Sequence, residues 1–321
     1  RSPEILDLIF DGLASGRDLI RMFSVDRQFH AVAREYMKRH FKVDRILKPF
    51  FLSNEADRFR HLQEDLGVVI SGSAALQFFG RVEFAHSDLD LYVQKLSAPR
   101  LEEWLEEIGY TKKCTIARTN NEREDIAKNP YLMYVDQSIA SVTTLERNDA
   151  IVQIIAVRST VVETILNFGL TCVMNVITHR EAISFYPDAT FERREALVSH
   201  NELTPRSRVL FEKYRERGWT VLEYLSTAQR WDRKSDFYCA SNATRTRCIG
   251  DKWCWVIRLP SQGFGTGLDL KYINTWALKY DLLGAYAGFT TLTQRNLAHS
   301  YVIALDMELV DKVYEIITEI K

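Results

Sequence analysis

Residues 68–93 read VVISGSAALQFFGRVEFAHSDLDLYV and carry the strongest structural signal in the chain. The apolar run Val68–Ile70 is followed by Gly72, Ser73 and a segment of helical composition, Ala74–Phe79. Apolar and polar residues then alternate over residues 88–93. Because successive side chains of a strand point to opposite faces, this alternation predicts a strand that carries Asp88 and Asp90 on one face.

Two carboxylates on one face repel each other unless a cation lies between them. Mg²⁺ prefers oxygen ligands and usually keeps substrate phosphates in its coordination shell. Gly72 allows a close approach of the backbone, Ser73 offers a hydroxyl, and the N-terminus of the following helix favours anions. We therefore expect Asp88 and Asp90 to bind Mg²⁺ and Gly72 and Ser73 to bind phosphate. A surface strand with two solvated aspartates after an ordinary capping turn is the alternative.

The order of strand, Gly-Ser turn, helix and Asp-apolar-Asp strand resembles the nucleotidyltransferase superfamily that includes DNA polymerase beta. The resemblance covers residues 68–93, with 14 residues between Ser73 and Asp88. It implies an α+β fold with a mixed β-sheet core and flanking helices. It also implies transfer of a nucleoside monophosphate from an NTP to an acceptor hydroxyl or amine. In that reaction Gly72 and Ser73 would bind the nucleotide, Asp88 and Asp90 would hold Mg²⁺, and Ser87 would orient the first aspartate.

The superfamily places a third carboxylate on a later strand. The best later strand is AIVQIIAV, residues 150–157, which the turn-like Asn148–Asp149 joins to a preceding strand. Gln153 occupies the expected position, and a glutamine neither neutralises a cation nor accepts a proton. Asp149, Glu146 and Glu163 are the possible substitutes. Some members of the superfamily work with fewer acids, so an active enzyme and a catalytically silent core are the two alternatives.

Residues 3–40 form a second signature. Apolar residues recur at three-four spacing in three short segments, around Ile5–Phe10, Leu19–Phe23 and Phe29–Met37, and predict three helices. This pattern, with Pro3–Leu6, Arg17–Leu19 and the run Val25–Val32, resembles an F-box. The resemblance implies docking on the Skp-type adaptor of a cullin ubiquitin ligase through residues 3–37. A plain helical cap on the core is the alternative.

A wider resemblance joins residues 68–260 to an uncharacterised group of fungal proteins with the same nucleotidyltransferase-like core. It is carried by the segments VQII (152–155), TILNFGLTCVMNVIT (164–178), FYPDATFERREAL (185–197), EKYRERGW (212–219) and IGDKWCWVIRLP (249–260). It implies an F-box-like module at 1–48, a nucleotidyltransferase-like core at 49–200 and a mixed α+β region at 201–321 that completes the active-site cleft. An alternative function follows: a catalytically silent nucleotidyltransferase-like F-box protein that acts as the substrate receptor of a ubiquitin ligase.

A basic helix is predicted around Lys213 and Arg217. Lys213 would bind the phosphates of a nucleotide if this helix lies beside the paired aspartates. The alternative is a solvated charged face in which Glu212 and Glu216 pair with the cations.

Composition restricts the setting but not the function. The net charge of −1 provides no general attraction to nucleic acid, although nucleic acid stays possible as the acceptor. The sequence contains no long apolar run and no secretory signal, so we expect no membrane partner and an intracellular location, cytoplasmic or nuclear. The five cysteines are scattered without a C-x-x-C pair and are expected to be reduced thiols.

Overall fold

The computed structural model describes residues 3–12, 27–118, 137–199, 205–240, 243–260, 274–281, 284–293 and 300–306, together with 308, 310–313 and 315. The described helices include α1 (Pro3–Gly12), α2 (Arg27–His40), α3 (Val43–Leu47), α4 (Ser53–Leu66), α5 (Gly72–Gly80), α6 (Ala98–Glu107), α7 (Val161–Leu166), α8 (Pro205–Glu216) and α9 (Thr227–Trp231). A 3₁₀ turn lies at Thr171–Val173 and a π-helical turn at Asp188–Glu192, and the described residues 308, 310–313 and 315 are also helical.

Eight of the described strands form one mixed sheet. They are β1 (Val69–Ser71), β2 (Leu89–Gln94), β3 (Thr111–Ala117), β4 (Ile139–Arg147), β5 (Ala150–Val157), β6 (Asn175–Ile177), β7 (Glu181–Ser184) and β13 (Trp255–Arg258). Their order in the sheet is β13-β7-β6-β1-β2-β5-β4-β3. Neighbouring strands pair antiparallel except β2 and β5, which are parallel. The chain is thus α+β with a large mixed sheet.

The remaining strands form smaller sheets. β12 (Thr246–Cys248), β14 (Thr275–Tyr280), β15 (Ala285–Leu292) and β16 (Tyr301–Ala304) form an antiparallel sheet. Two further pairs are β8 (Glu195–Leu197) with β9 (Thr220–Leu222), which run parallel, and β10 (Cys239–Ala240) with β11 (Ala243–Thr244), which run antiparallel.

The large sheet has an apolar core on each face. Leu89, Leu91 and Val93 of β2 pack into one core with α4, α5 and α6, whereas Tyr92 packs into the other with α7 and β14. The period-two prediction for this strand is confirmed, because these neighbours in sequence lie in different cores.

The N-terminal helices belong to the first of these cores. Leu6 and Phe10 of α1 and Tyr36 of α2 are buried in it, and the Phe10 and Tyr36 rings lie 5.1 Å apart. Arg81, which follows α5, donates a hydrogen bond of 3.2 Å to the Phe10 carbonyl. The first and third predicted helices are confirmed, and the segment of the second lies outside the described residues.

The predicted hairpin before Gln153 is also confirmed. β4 pairs with β5 so that Arg147 faces Ala150, and Asn148 and Asp149 form the two-residue turn with φ of 49° and 67°. Asparagine and aspartate tolerate this left-handed conformation better than other non-glycine residues, so the local sequence selects the turn.

An ion pair fixes the hairpin to α4. The Arg147 guanidinium donates to both carboxylate oxygens of Glu55, at 2.9 and 2.8 Å, and at 2.8 Å to the Phe50 carbonyl. Both side chains are largely buried, which makes this bidentate contact strong.

No described helix has the length and apolarity needed to cross a membrane.

Candidate functional site

The paired aspartates lie at the start of β2. Asp90 is in the strand, opposite Ser71 on β1 and level with Gln153 on β5, while Asp88 immediately precedes the strand. Both carboxyl groups are half-buried at the edge where β1 ends and α5 begins. The predicted proximity of Asp88 and Asp90 to the Gly-Ser turn is therefore what the fold produces.

Gly72 is required at its position for two reasons. Its φ is +66°, and a Cβ atom built on it would lie 2.6 Å from Oδ2 of Asp90. Only a residue without a side chain adopts this conformation readily and leaves room for the carboxylate. Asp90 is thus in direct contact with the first residue of α5.

The N-terminus of α5 has no side-chain cap. Ser71 is the N-cap residue, but its side chain makes no capping hydrogen bond and its hydroxyl donates instead to the Asn175 carbonyl at 2.6 Å. The first N–H groups of a helix lack partners within the helix and attract anions. The end of α5 that touches Asp90 thus retains donors for an anionic group.

Ser73 and Ser87 meet beside this turn. Their hydroxyl oxygens lie 2.8 Å apart, and Ser73 is only 8% exposed. We expected Ser87 to orient Asp88; the contact that the structure gives its hydroxyl is with Ser73. The pair fixes the loop before β2 to the first turn of α5.

Burial and mutual repulsion set the charge of the aspartates. Burial, followed by the charge of Asp88, raises the pKa of Asp90 to about 7, and Lys213 opposes this rise. Burial also raises the pKa of Asp88, again opposed by Lys213. Two like charges at one site raise the pKa of one of them, and a cation lowers it. The site is thus one in which a bound cation would favour full ionisation.

Lys213 is close enough to act on both aspartates. It lies on α8, and its charge lowers the pKa of each carboxyl group. Arg217, from the same predicted face, lies instead over the rings of Phe84, at 4.0 Å, and Tyr214, at 5.4 Å. Of these two cations, Lys213 is thus the one whose charge lowers the pKa of both aspartates, whereas Arg217 packs on aromatic rings.

Gln153 touches the site directly. Its Nε2 donates to Oδ2 of Asp88 at 3.3 Å. The amide partly solvates Asp88 without adding charge, and a flipped amide would present its oxygen to a cation.

The three substitute acids have different positions. Glu146 forms an ion pair with Lys113 at 3.0 Å, and Glu163 accepts a hydrogen bond from Ser159 beyond the opposite end of β5. Asp149, by contrast, lines the same cavity as Asp88. Of the three, Asp149 is the acid that tertiary structure brings to the candidate site.

A cavity of about 760 Å³ extends from Asp88 and Ser87 to α3. Its walls include the apolar residues Ile46, Phe50 and Phe84 and the cations Arg45 and Lys48. A volume of this size accommodates a small organic ligand. Asp88 therefore opens onto a space large enough for a substrate and not only for an ion.

The two aspartates are suitable ligands for Mg²⁺ but do not form a complete coordination shell by themselves. Among the described residues no group of three His, Cys, Asp or Glu side chains suitable for a metal occurs. Mg²⁺ is commonly held by one or two carboxylates and substrate phosphates, however, and two carboxylates with raised pKa values at a helix N-terminus fit that pattern.

Two residues beside Asp90 were not among the site residues predicted from the sequence. Tyr92 and Tyr214 are buried next to Asp90, and the charge of Asp90 adds to the effect of burial in raising the pKa of each. Their hydroxyl groups stay protonated. Tyr92 shares the strand face of Asp90 and was accessible from periodicity, whereas the position of Tyr214 depends on how α8 packs.

No family model, curated protein or solved structure matches the chain in the comparisons made with each.

Proposed function

We propose that this protein is a Mg²⁺-dependent nucleotidyltransferase-like enzyme that transfers a nucleoside monophosphate from an NTP to an acceptor hydroxyl or amine. The observation that carries the proposal is the contact of the Asp90 carboxylate with Gly72 at the uncapped N-terminus of α5, beside Asp88 and in the field of Lys213. This arrangement combines an anion-binding element with a cation-binding element.

Each residue has a defined task in this reaction. Asp88 and Asp90 would hold Mg²⁺, which when bound neutralises charge that develops on the transferred phosphoryl group. Gly72 and Ser73 would bind the triphosphate through the first turn of α5, and Lys213 would add a positive charge near the aspartates. Ser87 supports Ser73 through the 2.8 Å hydroxyl contact. Gln153 would orient Asp88.

Calorimetric titration of each NTP in the presence of Mg²⁺ tests the proposal. We expect one NTP to bind with a requirement for Mg²⁺ and the Asp88→Asn/Asp90→Asn variant to lose that binding. The matched control is Asp65→Asn/Asp311→Asn, which removes two exposed carboxylates away from the site and should bind like the wild type. Failure of the wild type to bind any NTP would overturn the proposal.

Turnover is tested separately from binding. Pyrophosphate release from the bound NTP, in the presence of pooled hydroxyl and amine acceptors, should require both aspartates. Equal release by the double variant would show that these carboxylates do not perform the chemistry.

A catalytically silent receptor is the second candidate. Gln153 in place of an acid favours it, and so does the exposed apolar face of α1, where Ile5, Leu8 and Ile9 are 59%, 72% and 46% exposed. In this case the N-terminal helices would dock on a Skp-type adaptor, and the nucleotidyltransferase-like core would recognise a client of a cullin ubiquitin ligase.

Binding to a purified Skp-type adaptor tests this candidate. Leu8→Asp/Ile9→Asp places charges on the exposed face without disturbing the buried Leu6 and Phe10, and should abolish binding. Leu96→Asp is the control, because Leu96 is 95% exposed at a distant position. Absence of adaptor binding by the wild type would exclude this role.

A further inference from the structure

A second cavity lies on another part of the molecule. It is a cleft of about 770 Å³ between α2, α4 and the edge strand β13. Its floor is apolar and includes Phe41, Trp255 and Ile257. None of its lining residues belongs to the site around Asp88 and Asp90.

One wall of the cleft is a basic stripe. Four basic residues line this side of the cleft at intervals of four positions: His30, Arg34, Lys38 and Lys42. The first three lie on α2, and Lys42 follows the helix. Residues four apart lie on one face of a helix, so His30, Arg34 and Lys38 share a face, and Lys38 on it pairs with Glu35 at 2.6 Å. Arg34 and Lys42 are the exposed cations that this side presents to the cleft. Arg258 of β13 adds a further exposed cation.

The cleft also contains three acids, Asp44, Asp57 and Glu64, whose charge is partly balanced. Arg60 on α4 is held inside by hydrogen bonds to the carbonyls of Thr178, at 3.1 Å, and His179. The nearby charges that favour its ionised form are those of Asp44 and Glu64, and its single positive charge offsets one of them. With the Lys38–Glu35 pair counted as neutral, the four lining cations Arg34, Lys42, Arg60 and Arg258 exceed the three acids by one charge.

Glu64 offers a hydrogen-bond acceptor at the inner end of the cleft. Its Oε1 is buried and has no hydrogen-bond partner, and the His179 imidazole lies 3.7 Å from it. A buried acceptor without a donor destabilises the protein, and a ligand N–H group would satisfy it. The cleft thus favours anions along one wall and a hydrogen-bond donor at its base.

We infer that this cleft binds a nucleoside phosphate. The phosphates contact Arg34 and Lys42, the nucleoside lies over the apolar floor, and a base N–H or amino group donates to Glu64. Because side-chain cations supply the positive charge, binding does not require a divalent metal. The metal-independent binding distinguishes this cleft from the proposed active site, and the inference does not depend on the nucleotidyltransferase proposal.

The test is a titration of ADP into the protein in the presence of EDTA, which removes divalent cations. We expect the wild type and the Asp88→Asn/Asp90→Asn variant to bind ADP equally. Arg34→Gln/Lys42→Gln should weaken binding at least about tenfold, the loss expected when charge-assisted contacts are removed. Both changed residues are exposed, so the fold should persist.

A matched control removes the same two charges elsewhere. Arg58→Gln/Lys312→Gln changes one arginine and one lysine that are 58% and 64% exposed and lie outside the cleft, and it should bind ADP like the wild type. Inorganic phosphate alone should bind at least about tenfold more weakly than ADP, because it reaches neither the floor nor Glu64.

Three results would overturn the inference. They are no binding of ADP by the wild type in EDTA, equal affinity in the Arg34→Gln/Lys42→Gln variant, and equal affinity for phosphate and ADP. The last result would assign the cleft to phosphate groups in general and remove the nucleoside from the inference.

Discussion

Replacement of Asp90 by asparagine should stabilise the protein, and the gain should increase with pH. The pKa of Asp90 is raised from 3.8 to about 7, mainly by burial and then by Asp88. A carboxyl group with a raised pKa stabilises the folded state fully at a pH below its unfolded pKa. That contribution is lost as the pH rises through the folded pKa. Asparagine keeps the shape of the protonated acid and has no charge to bury.

The magnitude follows from the width of this window. Each pH unit between the unfolded and folded pKa values changes the free energy of unfolding by about 1.4 kcal/mol. Between pH 5 and pH 7 the wild type should therefore lose about 2–3 kcal/mol relative to Asp90→Asn. Well above pH 7 the Asp90 carboxyl group has lost its proton in both the folded and the unfolded wild type. The difference in the free energy of unfolding between the wild type and Asp90→Asn should then become constant.

Urea unfolding at pH 5, 6, 7 and 8 measures this difference. The comparison between wild type and variant cancels the titration of the other groups, and Asp149→Asn serves as the control because Asp149 is exposed at a turn that asparagine also accepts. A constant difference between the wild type and Asp90→Asn across this range would refute the assignment of a buried, repelled carboxylate. Mg²⁺ at pH 8 should stabilise the wild type and leave Asp90→Asn unchanged if the carboxylates bind the ion.

Three further changes test separate contacts. Gly72→Ala should lower the free energy of unfolding by about 2–4 kcal/mol, because its φ is +66° and the new Cβ would meet Asp90, and urea unfolding measures this loss. Arg147→Ala should cost about 3–5 kcal/mol in the same assay, because it leaves the buried Glu55 carboxylate without its partner. Lys213→Gln should weaken Mg²⁺-dependent NTP binding about tenfold in calorimetry, because its charge acts on both aspartates.

Matched controls separate these effects from general damage. Gly218→Ala also has a positive φ, +93°, but its Cβ would meet no atom within 4 Å, so it should cost less than Gly72→Ala. Arg58→Ala removes an exposed pair with Glu107 and should cost under about 1 kcal/mol. Arg215→Gln changes a cation on α8 that pairs with Glu212 and Glu223, and NTP binding should persist. Equal effects of a change and its control would contradict the corresponding argument.

Local patterns predicted much of the described fold. The strand over residues 89–94, the Asn148–Asp149 hairpin and the helix around Lys213 follow from period-two alternation, turn chemistry and helical spacing. These patterns involve residues that are neighbours in sequence, so they can be recognised without knowledge of the tertiary structure. The contact between Gly72 and Asp90 was not predicted, because the sequence analysis assigned Gly72 to phosphate binding.

Other features of the site depend on distant parts of the chain. Asn175 is fully buried, and its side-chain amide donates to the Cys172 carbonyl at 2.7 Å. The cleft beneath α2 combines residues 30–42 with β13, which are more than 200 positions apart in the chain. No periodicity in either segment predicts that they share a cavity.

The sequence by itself determined the alternating strand that contains Asp90, the glycine at the turn beside it and the charge spacing along the helices. The prediction that Asp88 is also part of this strand was wrong by one residue, since the strand begins at Leu89. Only the tertiary structure decided that Asp149, and not Glu146 or Glu163, shares a cavity with Asp88. It also decided that the charge of Lys213 acts on both aspartates, while Arg217 packs on Phe84. The physical reason is one of range. Backbone conformation and side-chain direction depend on adjacent residues, whereas burial, charge interaction and pKa depend on which distant segments the packed core brings together.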